Sequence, residues 1–397
     1  MSELTNHPVA EIASKDSASS AIEHAIGALL DTPAYAMDPH KRQQALLALF
    51  KQELEYACER SPRFANYVRQ WPVSLSAAKT IADLPYLPVS VFKANPPLAL
   101  VETLEIRRTL TSSSTSGQVP SRIVLDAATA RRMTKGLTAI IRDLIGPARR
   151  PYLVIDIPEN LKAQPELGAR GAAIQGLQSF ATEVVSCLRR EADGNTSLDL
   201  DKLQASAAKW REKDSAILIY GFTYVIWTEF VQPLQRQGVK LNLPNVHVLH
   251  SGGWKRLQQQ AVTKDAFTSG VASVFGCAPE RVIDYYGMVE NVGVVYPDCE
   301  RGHKHVPAFA EVIIRDPLTL APVEVGQQGL VQVASVLPTS FPGFLLLTDD
   351  MGKLIGNDGC ACGRRGTHFR FTQRVPKVEV RGCGNLETTR RNGSQPA

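Results

Sequence analysis

Between residues 20 and 80 the apolar positions recur at helical spacing. Leu46, Leu47, Leu49 and Phe50 fall in one run, Tyr56, Phe64 and Tyr67 follow, and no strand-like alternation interrupts them. This predicts a mainly helical N-terminal portion over 1–104. Pro85, Pro88, Pro96 and Pro97 mark an extended connection out of it. From about residue 105 short apolar runs precede glycine-bearing loops and helical patterns, at 152–157, 216–220, 246–250 and 282–286. Repeated strand, loop and helix units predict an α/β core over 105–306 with a mostly parallel sheet flanked by helices, and such folds gather ligands at the carboxyl ends of their strands. Beyond Pro307 alternating segments at 310–314 and 330–337 predict a smaller β-rich subdomain over 307–373, antiparallel or barrel-like, and 374–397 reads as a hinge remnant and mobile tail. No internal repeat is evident.

A chain of 397 residues with 44% hydrophobic content buries a substantial core, which excludes a mini-protein or a disordered chain. The formal charge of +5 is spread along the chain, leaving no nucleic-acid footprint. The first residues lack a charged-then-apolar export pattern, and the longest apolar stretch, 216–227, is too short to span a bilayer, so the expectation is a cytoplasmic protein without a membrane span. No G-x-S-x-G nucleophile turn is present, which argues against a hydrolase.

The loop Thr111-Ser112-Ser113-Ser114-Thr115-Ser116-Gly117 follows an apolar segment and precedes the strand-like run 122–125. Its hydroxyls and backbone N–H groups suit the oxygens of a polyphosphate, although it is not a Walker A loop; a solvated Ser/Thr loop is the other reading. The stretch 217–227, containing Phe222 and Thr223, is apolar and aromatic and suits either an acyl tail or plain core. Cys299, Cys360 and Cys362 with one of the two imidazoles His303 and His305 offer a closed tetrahedral Zn²⁺ site, with Gly302 and Gly363 permitting tight turns, or else they are ordinary buried cysteines with a surface histidine pair. Cys383 lies beside Arg381 between glycines, a setting that favours a thiolate nucleophile, and it is equally readable as a free surface thiol. Cys58, Cys187 and Cys277 read as packing residues.

The Ser/Thr/Gly loop resembles the phosphate motif of adenylate-forming enzymes. Tyr286-Gly287-Met288-Val289-Glu290 looks like their tyrosine-glycine-x-x-glutamate motif, Thr348-Asp349-Asp350 like their threonine-x-aspartate, and 374–382 like their hinge. Further blocks at 84–93, Gly221-Phe222-Thr223, His250-Ser251-Gly252-Gly253-Trp254-Lys255, 284–290 and 374–383 are similar to the LuxE-type acyl-protein synthetases, so the resemblance spans roughly 30–385. It implies the N-terminal domain fold of that enzyme group with the C-terminal domain truncated, and ATP-dependent formation of an acyl-AMP from a fatty or aryl carboxylic acid with release of pyrophosphate. By the same resemblance Ser113, Ser114, Thr115, Ser116 and Gly117 hold the ATP phosphates. Gly252, Gly253, Tyr286, Gly287 and Met288 frame the adenine and acyl carbonyl, and Phe222, Thr223 and Trp254 line the acyl substrate. Glu290 helps hold Mg²⁺, Asp350 binds the ribose hydroxyls and Arg374 is catalytic from the hinge. Cys383 takes the acyl group before passing it to an acceptor protein, a reductase or carrier, while coenzyme A is the competing acceptor. Related aryl-activating ligases favour His305 over His303 as the fourth zinc ligand with Cys299, Cys360 and Cys362. Two departures stand out: Ser121 and Arg122 replace the lysine that usually closes the phosphate loop, and fifteen residues follow Gly382 where a domain with a catalytic lysine is usual. The second departure also motivates a non-catalytic nucleotide- or acyl-binding scaffold as an alternative.

Overall fold

The computed structural model describes residues 8–112, 119–161, 166–254 and 259–374. Three helices open it: α1 (Pro8–Asp31), α2 (Pro39–Arg60) and α3 (Pro62–Arg69). Asp38 starts α2 by accepting the N–H groups of His40 and Lys41 at 3.1 and 3.2 Å, with Pro39 in the first turn; both features satisfy donors that a helix start leaves unpaired. Ser61 ends α2 by donating to the Ala57 carbonyl and starts α3 by accepting from the Phe64 N–H. Leu46, Leu49, Phe50, Leu54 and Ala57 form the buried stripe of α2. Each large side chain so buried contributes roughly 1.5–3 kcal/mol, which outweighs helix propensity in holding this helix.

After β1 (Leu87–Pro88), β2 (Arg108–Thr111) and β3 (Arg122–Leu125) pair antiparallel and lead into α4 (Ala127–Ile145), which Asp126 caps by accepting from the Thr129 N–H at 2.7 Å. There follow β4 (Arg150–Val154), β5 (Glu166–Gly168), α5 (Ala169–Leu177) and β6 (Ala181–Ser186). A small hairpin comes next, of β7 (Leu188–Arg190) and β8 (Thr196–Leu198). Then come α6 (Leu200–Glu212) and β9 (Ile217–Phe222); α7 (Thr223–Val225) continues through a π-helical stretch, Ile226–Val231, into α8 (Gln232–Arg236). The chain proceeds through β10 (Val246–Ser251), α9 (Lys264–Phe275), β11 (Val282–Gly287), β12 (Val295–Pro297) and β13 (Lys304–His305). The last strands are β14 (Ala310–Arg315), β15 (Gln328–Ser335), β16 (Leu345–Gly356) and β17 (His368–Arg374).

These strands form a central sheet in the order β12-β11-β10-β9-β4-β6, parallel except for β12. Ile217, Leu218, Ile219 and Tyr220 are all buried, as a strand covered on both faces requires. A second sheet runs β13-β17-β16-β15-β14, antiparallel, with β1 beside β16 in parallel register. The third sheet, β3-β2-β5, carries the stem of the Ser/Thr loop.

Close contacts lock these parts together. Gly293 has φ +74°, and a Cβ there would lie 2.6 Å from the Met133 Cα, so α4 packs directly on the turn that follows β11. The Ser340 hydroxyl donates to the Val124 carbonyl at 2.8 Å, and the Thr129 hydroxyl oxygen accepts the N–H groups of Thr339 and Ser340. Arg42 of α2 donates to Glu311 of β14 at 2.6 Å, to the Ala310 carbonyl at 2.9 Å and to the Thr367 hydroxyl at 3.1 Å. Both charged side chains are only 3% exposed. Removing one partner of a buried pair strands the other charge. Arg42→Ala is therefore expected to lower unfolding stability by about 3–5 kcal/mol in a denaturant titration, whereas Arg42→Ala with Glu311→Leu recovers a large part of the loss.

Candidate active site

Because β9, β10 and β11 are parallel and in register, with His250 opposite both Gly221 and Asp284, their carboxyl ends share one edge. Phe222 and Thr223 leave β9 there, Ser251, Gly252, Gly253 and Trp254 leave β10, and Tyr286, Gly287 and Met288 leave β11. The sheet thus collects on one rim the residues that the sequence singled out from separate blocks. Gly252 has φ +80° and its nearest neighbour is the Phe222 ring, while a Cβ at Gly253 would meet nothing within 4 Å. The backbone there is open to close approach by a ligand. Thr223 is buried, and Trp254 packs half-buried on the core beneath β9 and β10.

Asp350 reaches this rim from the second sheet. The Tyr286 hydroxyl donates to Asp350 Oδ2 at 2.8 Å and Arg374 Nε donates to Oδ1 at 3.0 Å. Burial, reinforced by the Asp350 charge, pushes the Tyr286 hydroxyl well above the usual tyrosine range, so it remains a donor. Thr348 sets the strand locally: its hydroxyl donates to the Val331 carbonyl at 2.7 Å and accepts the Asp350 N–H at 3.1 Å. Asp350 therefore sits inside β16, buried, and not in a turn.

Glu290 lies in the turn after β11 and is 6% exposed. Among the described residues no hydrogen bond or ion pair engages its carboxylate, which suits an oxygen ligand for a hard cation. The stem of the Ser/Thr loop is closed by Ser112 N–H to the Ser121 carbonyl at 3.0 Å and Ser121 N–H to the Ser112 hydroxyl at 2.8 Å. Ser113, Ser114, Thr115, Ser116 and Gly117 lie outside the described residues, as do Lys255 and Cys383.

Behind the rim lies a group of charges that no local pattern in the sequence marks. The Lys304 ammonium, 3% exposed, lies 2.8 Å from Asp284 and 3.1 Å from Asp298, and Lys264 pairs with Asp298 from the outer side. Burial opposes the Asp284 charge, yet the Lys304 ammonium holds its carboxyl below the usual range. His250 Nδ1 is 2.9 Å from the Thr223 hydroxyl, and burial brings this imidazole down to about 4, leaving it neutral at physiological pH. The network joins the ends of β9, β10 and β11 to β13. Lysine between two histidines looks in a linear sequence like an exposed polar stretch, and only the fold shows the carboxylates around it.

Cys299, His305, Cys360 and Cys362 converge, their ligand atoms all within 4.8 Å of one another. Cys362 Sγ is 3.2 Å from His305 Nε2. Tight turns deliver both ends: Gly302, φ +68°, donates its N–H to the Cys299 carbonyl, and Gly363, φ +86°, donates to that of Cys360. Burial drives the Cys299 thiol up to about 12 and the His305 imidazole down to about 3. Both groups thus avoid charge unless a cation is present to compensate it. His303 stands outside this set, 3.5 Å from Cys360 Sγ through Nδ1 and stacked on His368.

A family model described as acyl-protein synthetase, LuxE, matches residues 18–389. The long-chain-fatty-acid–luciferin-component ligase of Vibrio harveyi is 25% identical over 349 residues, covering 86% of this chain and 87% of that protein. The ligase of the same name from Aliivibrio fischeri is 24% identical over 306 residues, covering 77% and 78%. Among solved structures, an open conformation of 2-hydroxyisobutyryl-CoA ligase in complex with 2-HIB-AMP and CoA shares the fold, with a TM-score of 0.65 at 18% identity over 89% of this chain and 80% of that one.

Proposed function

The chain belongs to the LuxE family of acyl-protein synthetases, and on that footing we propose that it activates a long-chain carboxylic acid with ATP and transfers the acyl group to a thiol. The observation that carries this reading is the meeting of Asp350 and Tyr286 across two sheets, with Glu290 buried in the turn that follows the Tyr286 strand. A carboxylate has lone pairs enough to accept the two hydroxyls of a ribose. The open backbone at Gly252 and Gly253 leaves room for a flat base or an acyl carbonyl. Phe222 and Trp254 offer apolar surface to the acyl chain, and the names of the two bacterial relatives support a fatty acid over an aryl acid.

In this reading Glu290 holds Mg²⁺, which would neutralise phosphate charge when bound. Ser113 to Gly117, with Arg122 in place of the usual lysine, orient the triphosphate. The substrate carboxylate oxygen bonds to the α-phosphorus, and the bond to the bridging oxygen breaks as pyrophosphate leaves with the electron pair. The Cys383 thiolate then bonds to the acyl carbon, AMP leaves from it, and the thioester is passed to an acceptor protein. Arg374, which contacts Asp350 in the free protein, is the catalytic residue of the hinge side in this reading. Incubation with Mg·ATP and a panel of fatty and aryl acids, read by pyrophosphate exchange and intact mass, tests these steps separately. Exchange is expected with long-chain acids, falling about 100-fold or more in Glu290→Gln. Cys383→Ala keeps exchange and loses the acyl adduct. No exchange with any acid contradicts the reading, and an adduct that survives Cys383→Ala removes that residue from it.

The four converging ligands also fit a structural Zn²⁺. Neighbouring ligand atoms of a tetrahedral site lie roughly 3.3–3.8 Å apart, given zinc bonds of about 2.0–2.3 Å, and the set observed is within reach of that spacing. About one zinc per chain is expected by elemental analysis, dropping below about half in Cys360→Ser or Cys362→Ser together with a lower melting temperature. Zinc-free wild-type protein of unchanged melting temperature would remove the metal from the account.

A further inference from the structure

Tyr286 and Asp350 are both engaged by a single strand. The Phe371 ring stacks on Tyr286, with centroids 5.3 Å apart and planes at 20°, while Arg374 Nε occupies Asp350 Oδ1 at 3.0 Å. Two residues three apart on an even strand face opposite sides. Here the register between β16 and β17 shifts: Met351 faces Gln373 and Gly352 faces Phe371, so Thr372 is the extra residue of a bulge. A bulge re-aims the side chains around it, and this one turns Phe371 and Arg374 toward the same pair of groups.

Those contacts are chemically the ones that a nucleoside makes, a flat ring on Tyr286 and a hydrogen-bond donor on the Asp350 carboxylate. The other ring stacked on Tyr286, its cross-strand partner Tyr296, is fully buried and accepts a hydrogen bond from Asn291, so it is fixed. Phe371 is 37% exposed and Arg374 is on the outside of the pair, so both are free to leave.

Taking Tyr286 and Asp350 as the adenosine-binding groups of the proposed activity, we propose that Phe371 and Arg374 stand in for the nucleoside in the free protein. The base of ATP then displaces the Phe371 ring, and the ribose hydroxyls displace Arg374 from Asp350. Phe371 is accordingly the residue that sets how tightly the free protein takes the base, and it competes with ATP rather than supporting it.

Calorimetric titration of the full chain with ATP, with adenosine and with inorganic tripolyphosphate tests this in the wild type, Phe371→Ala and Phe371→Leu. Removal of the competing ring is expected to tighten ATP and adenosine binding about threefold to tenfold, the scale of one aromatic stack, and to leave tripolyphosphate unchanged. The leucine variant keeps apolar contact on β17 and is expected to fall between. In Phe371→Trp, adenosine is expected to shift the added emission to the red as the indole leaves Tyr286. Weaker ATP binding by Phe371→Ala would make the ring a platform for the base and overturn the proposal, as would equal binding by all variants. A wild type that binds neither ATP nor adenosine defeats the proposed activity itself, an outcome distinct from either of these.

Discussion

The hydrogen bond from Tyr286 to Asp350 joins the rim of the parallel sheet to the middle strand of the antiparallel one. A neutral donor bonded to a buried carboxylate is stronger than a neutral pair, and losing either side leaves an unsatisfied group in a dry environment. The strands behind it are arranged to hold that junction. Thr348 pins the backbone at Asp350, the Gly293 turn rests on α4, and Tyr296 and Phe369 pack around the Tyr286 ring. Asp350 and Glu290 keep their carboxylates buried without being consumed by lysines. Further back, the Lys304 ammonium neutralises Asp284 and Asp298 without reaching the rim. Charge is thus compensated where it is structural and left open at Glu290.

Much of this architecture was written in local patterns. Strand β9 is legible because a strand covered on both faces reads as a near-continuous apolar run, β4, β10 and β11 because short apolar stretches precede loops and helical patterns, and β14 and β15 because their edges are marked by prolines and glycines. The strand β6, Ala-Thr-Glu-Val-Val-Ser, escaped notice since a half-buried edge strand carries polar residues and forms no such run. Asp349 and Asp350 resemble a turn in sequence and lie instead in the interior of a twelve-residue strand, where the Thr348 side chain and the Tyr286 hydroxyl satisfy what strand propensity alone disfavours. The π-helical stretch at Ile226–Val231 has no local marker.

The same division runs through the site. Residues that arrive as short contiguous motifs, Gly252-Gly253, Tyr286-Gly287 and Cys360-Ala-Cys362, were visible because ligand and backbone requirements impose their spacing. Pairings across long separations were not. Nothing local links Lys304 to Asp284 or Phe371 to Tyr286, and the bulge at Thr372 exists only in the register of two strands. The Ser/Thr loop and Cys383, on which the chemistry of the proposed activity turns, stand outside the described residues, while the stem that carries the loop and the turn that carries Glu290 are both anchored to α4.

The central claim is that Asp350 and Tyr286 read a ribose. Competition between ATP and 2′-deoxy-ATP, measured as dissociation constants for wild type and Asp350→Asn, addresses it directly. The account predicts that wild type prefers the ribose form by about tenfold, the worth of one hydrogen bond to a charged group, and that Asp350→Asn binds both nucleotides weakly and alike. A wild type indifferent to the 2′-hydroxyl, or an Asp350→Asn variant that binds ATP as tightly as the wild type, would contradict it.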